Sequence, residues 1–320
     1  MKRAVVVGGG GFVGANFCRY LLSRDCEVHI LDYGAPRRWR LKELGKTIKV
    51  HSSNLSDYHA LRSTIRHIRP HWIFNMAVHG AYSSQNDFHE MVRTNIEGSW
   101  NLFKVVEGTS IEALVQAGSS SEYGYKDYAP AEDDRVDPNS LYAITKACST
   151  HLCQYAAGLT GAPLVVLRLY SVYGPWEEPT RLIPSLLVKA MSGKWPSLTN
   201  PKTARDFVYI DDVMRAFELA ARKAHQYSGQ IYNVGSGLQK SLGEVVNDVG
   251  QLLQVPEKPM WGMMRDRSWD TNVWIADARK IHKHLGWKPR HDFRAGLEKT
   301  LDWFQSNPAL TALRNALRSH

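Results

Sequence analysis

The chain has 320 residues, 43% of them hydrophobic and 22% charged, the balance of an ordinary globular protein with a sizeable core. No stretch approaches the roughly 18 apolar residues that a membrane-spanning helix needs, so we expect no membrane partner. The 40 lysines and arginines exceed the 31 acidic residues and give a net charge of +9, but the cations are scattered, which argues against a nucleic-acid partner.

The start of the chain and its cysteines both predict a cytoplasmic protein. The apolar run at residues 4–7 is shorter than a signal peptide requires and breaks into glycines, so we interpret it as a buried strand. Cys18, Cys26, Cys148 and Cys153 form neither a CxxC pair nor a metal-like cluster with histidine. We therefore expect reduced thiols, no bound metal and a cytoplasmic location.

In the first half of the chain, short apolar runs alternate with helical patterns, the order of parallel strands joined by crossover helices. We predict strands at residues 5–7, 28–31, 48–50, 73–76, 114–117 and 165–169, and helices at 14–23, 57–68, 90–107 and 141–159. This alternation is typical of a doubly wound parallel α/β sheet.

Beyond residue 172 prolines, tryptophans and loops become frequent, and the helical patterns become shorter. We predict a first domain at residues 1–172 and a smaller C-terminal α/β domain at residues 173–320, which would bind the substrate. Residues 207–221 are expected to pack back on the first domain.

A glycine-rich loop follows the first predicted strand and opens a helix. Gly8, Gly11 and Gly14 have the spacing GxxGxxG, in which glycine permits a sharp turn and lets a pyrophosphate approach the backbone. The helix that follows directs its N-terminal amides at the phosphates. With a strand before it and a helix after it, the loop predicts a dinucleotide site of the Rossmann type.

Asp32 closes the next predicted strand and indicates which dinucleotide binds. A carboxylate there accepts hydrogen bonds from the adenosine ribose and repels the 2′-phosphate of NADP. The pattern therefore predicts NAD, although Arg37 and Arg38 nearby would suit a phosphate. A ketoreductase that uses NADPH is the corresponding alternative.

Tyr142 and Lys146 lie four residues apart in a predicted helix, a spacing that puts both on one face. A tyrosine has a pKa of about 10 and is a poor base at neutral pH. A neighbouring ammonium together with an oxidised nicotinamide would stabilise the phenolate, and the lysine can also hold the nicotinamide ribose. By itself the spacing is common, and most instances are a buried tyrosine beside a surface lysine.

Ser119 follows the predicted strand at residues 114–117, with Ser120 and Ser121 after it. Ligands of open α/β sheets bind at the carboxyl ends of strands. A hydroxyl there can hydrogen-bond a reacting oxygen and pass its proton to the tyrosine. Three small polar residues could equally form a helix-cap turn.

The glycine loop, Asp32, the serine and the Tyr-Lys pair together resemble the extended short-chain dehydrogenase/reductases, and among them the NAD-dependent nucleotide-sugar epimerases and dehydratases. Further segments that match the family pattern are residues 95–98, 123–124, 168–175, 205–207, 233–235, 267–270 and 285–289. The resemblance implies an enzyme with a nucleotide-sugar substrate. It also implies a homodimer through the helices at residues 90–107 and 141–159.

The family implies roles for individual residues of this chain. The catalytic set would be Ser119, the base Tyr142 and its helper Lys146. The cofactor would be bound by Gly8, Gly11, Phe12, Val13, Gly14, Asp32, Asn54, Leu55, Ala77, Asn95, Tyr142 and Lys146. The substrate would be bound by Ser120, Ser171, Leu182, Arg205, Asn233 and Arg267. The two arginines would hold its pyrophosphate, since guanidinium groups suit phosphate oxygens, the alternative for them being a surface ion pair.

The chain departs from the family pattern at three places. Asn54 and Leu55 stand where an Asp-Ile pair commonly contacts adenine, and residues 75–78 replace a common His-Leu-Ala-Ala. Ser171 stands where many members carry an asparagine that binds the substrate.

The reaction is indicated by the residues after Ser119. Dehydratases of the family carry acidic residues there, because elimination of water needs an acid and a base beyond the tyrosine. A count without gaps puts Ser120 and Ser121 at those positions, with Glu122 one position further on. We therefore predict a 4-epimerase, which oxidises the sugar to a transient 4-keto form and returns hydride to its opposite face. The alternatives are a 4,6-dehydratase that uses Glu122 and a non-catalytic NAD-binding or sensing module.

Overall fold

The computed structural model describes residues 1–33, 38–82, 84–264 and 271–307. A parallel sheet of seven strands forms its centre. The described residues form ten strands in two sheets, namely β1 Arg3–Val7, β2 Glu27–Asp32, β3 Ile48–Ser52, β4 Trp72–Asn75, β5 Ala113–Ser119, β6 Leu164–Leu169, β7 Ser171–Tyr173, β8 Ala204–Tyr209, β9 Ile231–Val234 and β10 Gln239–Ser241. The large sheet has the order β3-β2-β1-β4-β5-β6-β9. The order reverses direction after β1, which confirms the predicted doubly wound fold.

Helices cover both faces of this sheet. The α-helices of the described residues are α1 Phe12–Leu22, α2 Arg38–Leu41, α3 Tyr58–Ile68, α4 Phe88–Met91, α5 Gly98–Val106, α6 Leu141–Thr160, α7 Leu182–Ala190, α8 Ile210–Lys223, α9 Leu242–Leu253, α10 Arg279–Leu285 and α11 Phe293–Ser306. A π-helical turn at Val92–Glu97 joins α4 to α5.

The first strand shows why these residues form a buried parallel sheet. Alternate side chains of β1 enter opposite layers, Ala4 and Val6 joining one core and Val5 and Val7 the other. A strand covered on both faces has to be apolar throughout rather than alternating, as this one is. The six strands predicted from such runs are all present, within two residues at each end.

The later part of the chain contributes to both sheets. β7, β8 and β10 form a small sheet in the order β10-β8-β7. α8 returns to the large sheet and contacts β5 and β6, while β9 pairs with β6 and becomes its edge strand. β9 was not predicted, because its four residues include a tyrosine and an asparagine and offer no long apolar run. The boundary proposed at residue 172 stays a prediction.

Candidate active site

The loop between β1 and α1 is packed so closely that it excludes side chains. Gly8 has a φ of +77°, and a Cβ there would lie 2.7 Å from the backbone nitrogen of Ala77. A Cβ on Gly14 would lie 2.3 Å from the carbonyl oxygen of Gly8. Gly11 is the N-cap of α1, and no side chain in the described part of the chain caps that helix. The first amides of α1 therefore remain available to an anion.

Asp32 lies at the end of β2, beside this loop. One carboxylate oxygen accepts from the Gly10 amide at 2.9 Å, and the other accepts from the Tyr33 amide at 3.0 Å. Burial raises the pKa of this carboxyl, and the two backbone hydrogen bonds oppose that rise. Each oxygen has a second lone pair, so the carboxylate can also accept from a ribose hydroxyl.

The residues expected near adenine are less open than predicted. The Oδ1 of Asn54 already accepts from the amide and the hydroxyl of Ser56, at 3.0 and 2.9 Å. Leu55 is buried and packs on Gly98, where a Cβ would lie 2.6 Å from the Leu55 Cβ. The side-chain oxygen of Asn54 is thus engaged in a local turn.

Asn95 is buried in the π-helical turn, and its side chain is used within the protein. Its Nδ2 donates to the His79 carbonyl and to the Thr145 hydroxyl, both at 2.9 Å, and its Oδ1 accepts from the His79 amide at 2.9 Å. These bonds tie the loop after β4 to helix α6. Asn95 holds a segment that borders the predicted cofactor site, and its own amide group is occupied.

The donor set at this end of the sheet fits a dinucleotide. Phe12 and Val13 begin α1 immediately after the glycine loop, the first of them buried and the second half-buried. Gly8 and Gly14 let the loop pack closely against Ala77 and against itself, which leaves the uncapped amides at the start of α1 available to a pyrophosphate. Asp32 lies at the end of β2, the strand next to β1. The role of these individual residues in binding a dinucleotide stays a prediction.

Helix α6 places Tyr142 and Lys146 at the carboxyl end of β5. Ser140 caps the helix by accepting from the Ala143 amide at 3.2 Å. The Nζ of Lys146 donates to the Ala117 carbonyl at 2.5 Å, and the side chain is buried. Burial lowers the pKa of Lys146 to about 8, which leaves an ammonium at neutral pH.

Tyr142 is half-buried one turn before Lys146. Burial raises the pKa of its phenol, and the charge of Glu122 adds to that rise, whereas the Ser119 side chain and the charge of Arg181 oppose it. The net shift is upward, so the chain's own charges do not make the phenol acidic. The positive charge expected from an oxidised nicotinamide is needed as well.

Ser119 ends β5 and faces the phenol. Its Oγ lies 2.8 Å from the Ser121 Oγ and accepts from the Ser121 amide at 3.2 Å, so it also caps the short 3₁₀ helix at Ser120–Tyr123. The two interpretations of the serine cluster are therefore compatible. One hydroxyl closes the turn and remains half-exposed beside Tyr142.

Glu122 is fully buried below this turn, and both of its carboxylate oxygens have partners. Oε1 accepts from the Ser119 amide at 2.8 Å, and Oε2 accepts from the Arg168 Nε at 2.8 Å. The side chains of this ion pair are 0% and 1% exposed. Glu122 therefore braces the 3₁₀ turn from beneath, with both carboxylate oxygens engaged inside the protein.

The predicted substrate residues fall into two groups. Ser171 in β7 and Leu182 at the start of α7 are half-buried. Asn233 is fully buried, where its Oδ1 accepts from the Tyr123 hydroxyl at 2.8 Å and its Nδ2 donates to the carbonyls of Pro130 and Asp277. The Asn233 amide thus joins three segments of the chain, and a substrate contact would require one of these bonds to break.

The two predicted pyrophosphate arginines differ in what can be said of them. Arg205 is half-buried in β8, with its guanidinium 5.1 Å from the centre of the Trp274 ring. Arg267 lies outside the described residues. The pairing of the two guanidinium groups stays a prediction.

Trp274 lies beside the predicted site, although no motif in the sequence points to it. Its Nε1 donates to the Ser120 Oγ at 3.1 Å, so the indole lies over the residue that follows Ser119. Asp206 holds the same segment by accepting from the Ala276 amide at 3.0 Å. The only signal available was its closeness to the family-like segment at 267–270, and sequence distance alone does not bring an indole to Ser120.

Comparison with known proteins identifies the family. The model of the NAD dependent epimerase/dehydratase family matches residues 4–235. The chain belongs to this family. A dTDP-glucose 4,6-dehydratase of Neisseria meningitidis is 28% identical, with 96% of this chain and 94% of the relative covered. An uncharacterized protein of Methanocaldococcus jannaschii is 29% identical, with 96% and 97% covered.

Solved members of the epimerase/dehydratase family have the same fold. The UDP-glucose 4-epimerase of Thermus thermophilus in complex with NAD has a TM-score of 0.83 and 26% identity, with 95% of this chain and 99% of that one covered. A dTDP-glucose 4,6-dehydratase of Streptomyces venezuelae with NAD has a TM-score of 0.86 and 25% identity, with 96% and 98% covered. Both named reactions therefore occur on this architecture.

Membership in the epimerase/dehydratase family confirms two predictions, the family itself and NAD as its cofactor. It also makes the chain a member of an enzyme family that acts by epimerisation or dehydration. Among the described residues, no helix is both long and apolar enough to span a bilayer.

Proposed function

We propose that this protein is an NAD-dependent nucleotide-sugar 4-epimerase that works through a transient 4-keto sugar. One observation carries the choice of reaction. The carboxylate of Glu122 is fully buried and bonded to the Ser119 amide and to Arg168. By the count without gaps, Ser120 and Ser121 stand where dehydratases of the family carry their acids. Hydroxyls do not exchange protons at neutral pH as a carboxyl does, so Ser120 and Ser121 do not supply the acid and base that elimination of water needs.

The residues around Tyr142 suit a reversible alcohol oxidation. A bound NAD would supply the hydride acceptor for the sugar carbon and, once reduced, the hydride donor for the keto sugar. Ser119 hydrogen-bonds the 4-oxygen, and the phenolate of Tyr142 takes the hydroxyl proton as the carbonyl forms. After the keto sugar has presented its other face, Tyr142 gives the proton back. Hydride and proton are both restored, so the cycle consumes no cofactor.

The remaining assigned residues would bind the nucleotide sugar and the cofactor. Lys146 would keep the nicotinamide ribose and the phenol in place, because its buried ammonium is already fixed on the Ala117 carbonyl. Arg205 and Arg267 would hold the substrate pyrophosphate. Ser120 is engaged by Trp274, which makes the indole a wall of the sugar pocket.

Product analysis tests this proposal directly. The NAD-loaded protein is incubated with UDP-, dTDP-, GDP- and CDP-sugars, and each mixture is followed by proton NMR. We expect conversion to the C4 epimer with no loss of water. A 4-keto-6-deoxy product would overturn the epimerase assignment.

The second candidate is a nucleotide-sugar 4,6-dehydratase. It is favoured by the relatives, since dTDP-glucose 4,6-dehydratases of three bacteria are 26–28% identical over nearly the whole chain. Glu122 would have to leave Arg168 and turn into the cleft to act as the acid. The same NMR experiment separates the two reactions.

A further inference from the structure

A chain of buried polar side chains beneath α6 has no part in the chemistry described above. Asn75 at the end of β4 donates through Nδ2 to the Oε1 of Gln116 at 2.8 Å. Gln116 in β5 donates through Nε2 to the Ser149 Oγ at 3.2 Å. The exposure of the three side chains is 0%, 1% and 1%, so water does not compete for these bonds.

One end of this series of linked side chains reaches the glycine loop. The Oδ1 of Asn75 accepts from the Ala77 amide at 3.3 Å. Ala77 in turn lies so near Gly8 that a Cβ on the glycine would meet its backbone nitrogen at 2.7 Å. Asn75 therefore helps to set the backbone against which the glycine loop packs.

The other end reaches the catalytic lysine. The Nε2 of Gln116 also donates to the Ala117 carbonyl at 3.3 Å, and the same carbonyl accepts from the Nζ of Lys146 at 2.5 Å. Ser149 lies one turn beyond Lys146 on α6. Gln116 thus touches both the acceptor of the ammonium and the helix that carries it.

The strand register explains why a polar side chain is needed there. β4 ends at Asn75, which is opposite Gln116, whereas β5 continues to Ser119. Ala117 lies beyond the last β4–β5 pair. An apolar side chain at position 116 would be buried without the desolvation cost of an amide, which has to be offset by hydrogen bonds to buried partners. Because the Asn75 and Gln116 amides are fully hydrogen-bonded at this point, we infer that they fix the positions of the segments that they contact.

We propose that Gln116, held in turn by Asn75, is a positioning residue that fixes the Lys146 ammonium for the nicotinamide ribose. The inference rests on the role proposed above for Lys146. The Gln116 amide orients the Ala117 carbonyl, which anchors Nζ, and its bond to Ser149 fixes α6 against β5. Gln116 itself has no contact with substrate or cofactor in this assignment.

The test compares the binding of NAD and ADP. ADP has the adenosine and the pyrophosphate but lacks the nicotinamide ribose, so it does not report on Lys146. Affinities are measured by calorimetry for the wild-type chain and for Gln116→Met, which keeps the length of the side chain and removes its amide. We expect NAD to bind about tenfold more weakly, the loss predicted when the hydrogen bond of the charged Lys146 to the ribose is lost. ADP should bind within about twofold of wild type.

Three further variants complete the design. Ser149→Ala removes one Gln116 contact without a large change of volume, and we expect a smaller loss of NAD affinity in the same direction. Ser99→Ala removes the 3.3 Å bond of Asn75 that points away from Lys146, so NAD and ADP should both bind as in wild type. Lys146→Met should weaken NAD and spare ADP.

The outcomes separate the inference from the proposed function. Equal losses for NAD and ADP in Gln116→Met, or no loss for either, would show that Gln116 only supports the fold. If Gln116→Met does not fold, an unchanged NAD affinity in Ser149→Ala overturns the inference. Unchanged NAD affinity in Lys146→Met would instead remove the role of Lys146 on which the proposed function depends.

Discussion

The phenol of Tyr142 is the group on which the proposed chemistry depends, and it is half-buried rather than sealed from the cleft. Tyr142→Phe removes one oxygen and leaves the ring, so the pocket should keep its shape. We expect kcat to fall about 10²–10⁴-fold, the range for loss of a general base, while the Kd of NAD stays near wild type. Steady-state kinetics and calorimetry measure the two quantities. Full turnover in this variant would remove Tyr142 from the mechanism.

Lys146 gives the site a dependence on pH. Burial lowers its pKa to about 8, so the ammonium is present below that pH and is lost as the pH rises through it. A neutral amine holds the ribose hydroxyls and the phenolate less strongly. We expect the affinity for NAD to decline above about pH 8 in the wild type and to show no such decline in Lys146→Met. Calorimetric titrations from pH 6 to pH 10, values that bracket the shifted pKa by about two units, provide the test.

A substitution of Glu122 distinguishes a structural role of its carboxylate from a catalytic one. Glu122→Gln leaves the Arg168 guanidinium buried without its counter-charge, and breaking such a pair costs about 3–5 kcal/mol. We expect a lower free energy of unfolding in urea, with the folded fraction still turning over substrate. A variant of near wild-type stability with no turnover would favour the dehydratase.

Helix α6 carries an apolar stripe on its outer surface. Leu141, Ile144, Tyr155 and Leu159 are between 45% and 64% exposed, and the spacing of the last three puts them on one face. Trp100 of α5 lies beside this stripe, with its ring 6.3 Å from that of Tyr155. We propose that the stripe pairs with its copy in a homodimer through α5 and α6.

A charge placed in this stripe tests the homodimer. Tyr155→Asp puts a carboxylate into the proposed interface, so we expect the mass from light scattering to fall from dimer to monomer. Leu238→Asp is the matched control, because Leu238 is an apolar residue that is 73% exposed outside α6. A wild-type protein that is already monomeric at the same concentration would refute the pairing.

Elements with strong local signals could be predicted from the sequence. The apolar runs of β1 to β6 are sufficient to predict these six strands, and the glycine spacing is sufficient to predict the loop between β1 and α1. β9 and the small sheet depend on pairing between distant segments. Three of their strands, β7, β9 and β10, have only three or four residues and so carry no long apolar run. Within the site, the Tyr-Lys spacing was visible because both residues lie on one helix. The hydrogen bond from Trp274 to Ser120 joins residues 154 positions apart in the sequence, and the ion pair of Glu122 with Arg168 joins residues 46 apart. Neither contact has a local sequence pattern.

At the scale of the whole molecule, the two sheets are joined through Asp206. Its carboxylate accepts from the amides of Ser236, Gly237 and Ala276, at 2.6, 2.9 and 3.0 Å. This one buried side chain of β8 gathers the loop after β9 and the segment that carries Trp274. The large sheet, which carries the predicted cofactor site, is therefore joined to the segment of Trp274, the proposed wall of the sugar pocket.

Cofactor binding should consequently stabilise the whole chain against unfolding. A ligand that binds only the folded state adds about 2.7 kcal/mol at a concentration of 100 times its Kd. We expect NAD to raise Tm by several degrees and NADP to raise it less, because the half-buried carboxylate of Asp32 repels a 2′-phosphate. Asp32→Asn keeps an acceptor oxygen and removes the charge, so the difference between the two cofactors should narrow in that variant. Calorimetric scans of both proteins with each cofactor measure this difference. Equal stabilisation of the wild type by NADP and NAD would show that Asp32 does not select the cofactor, since the repulsion would then be absent.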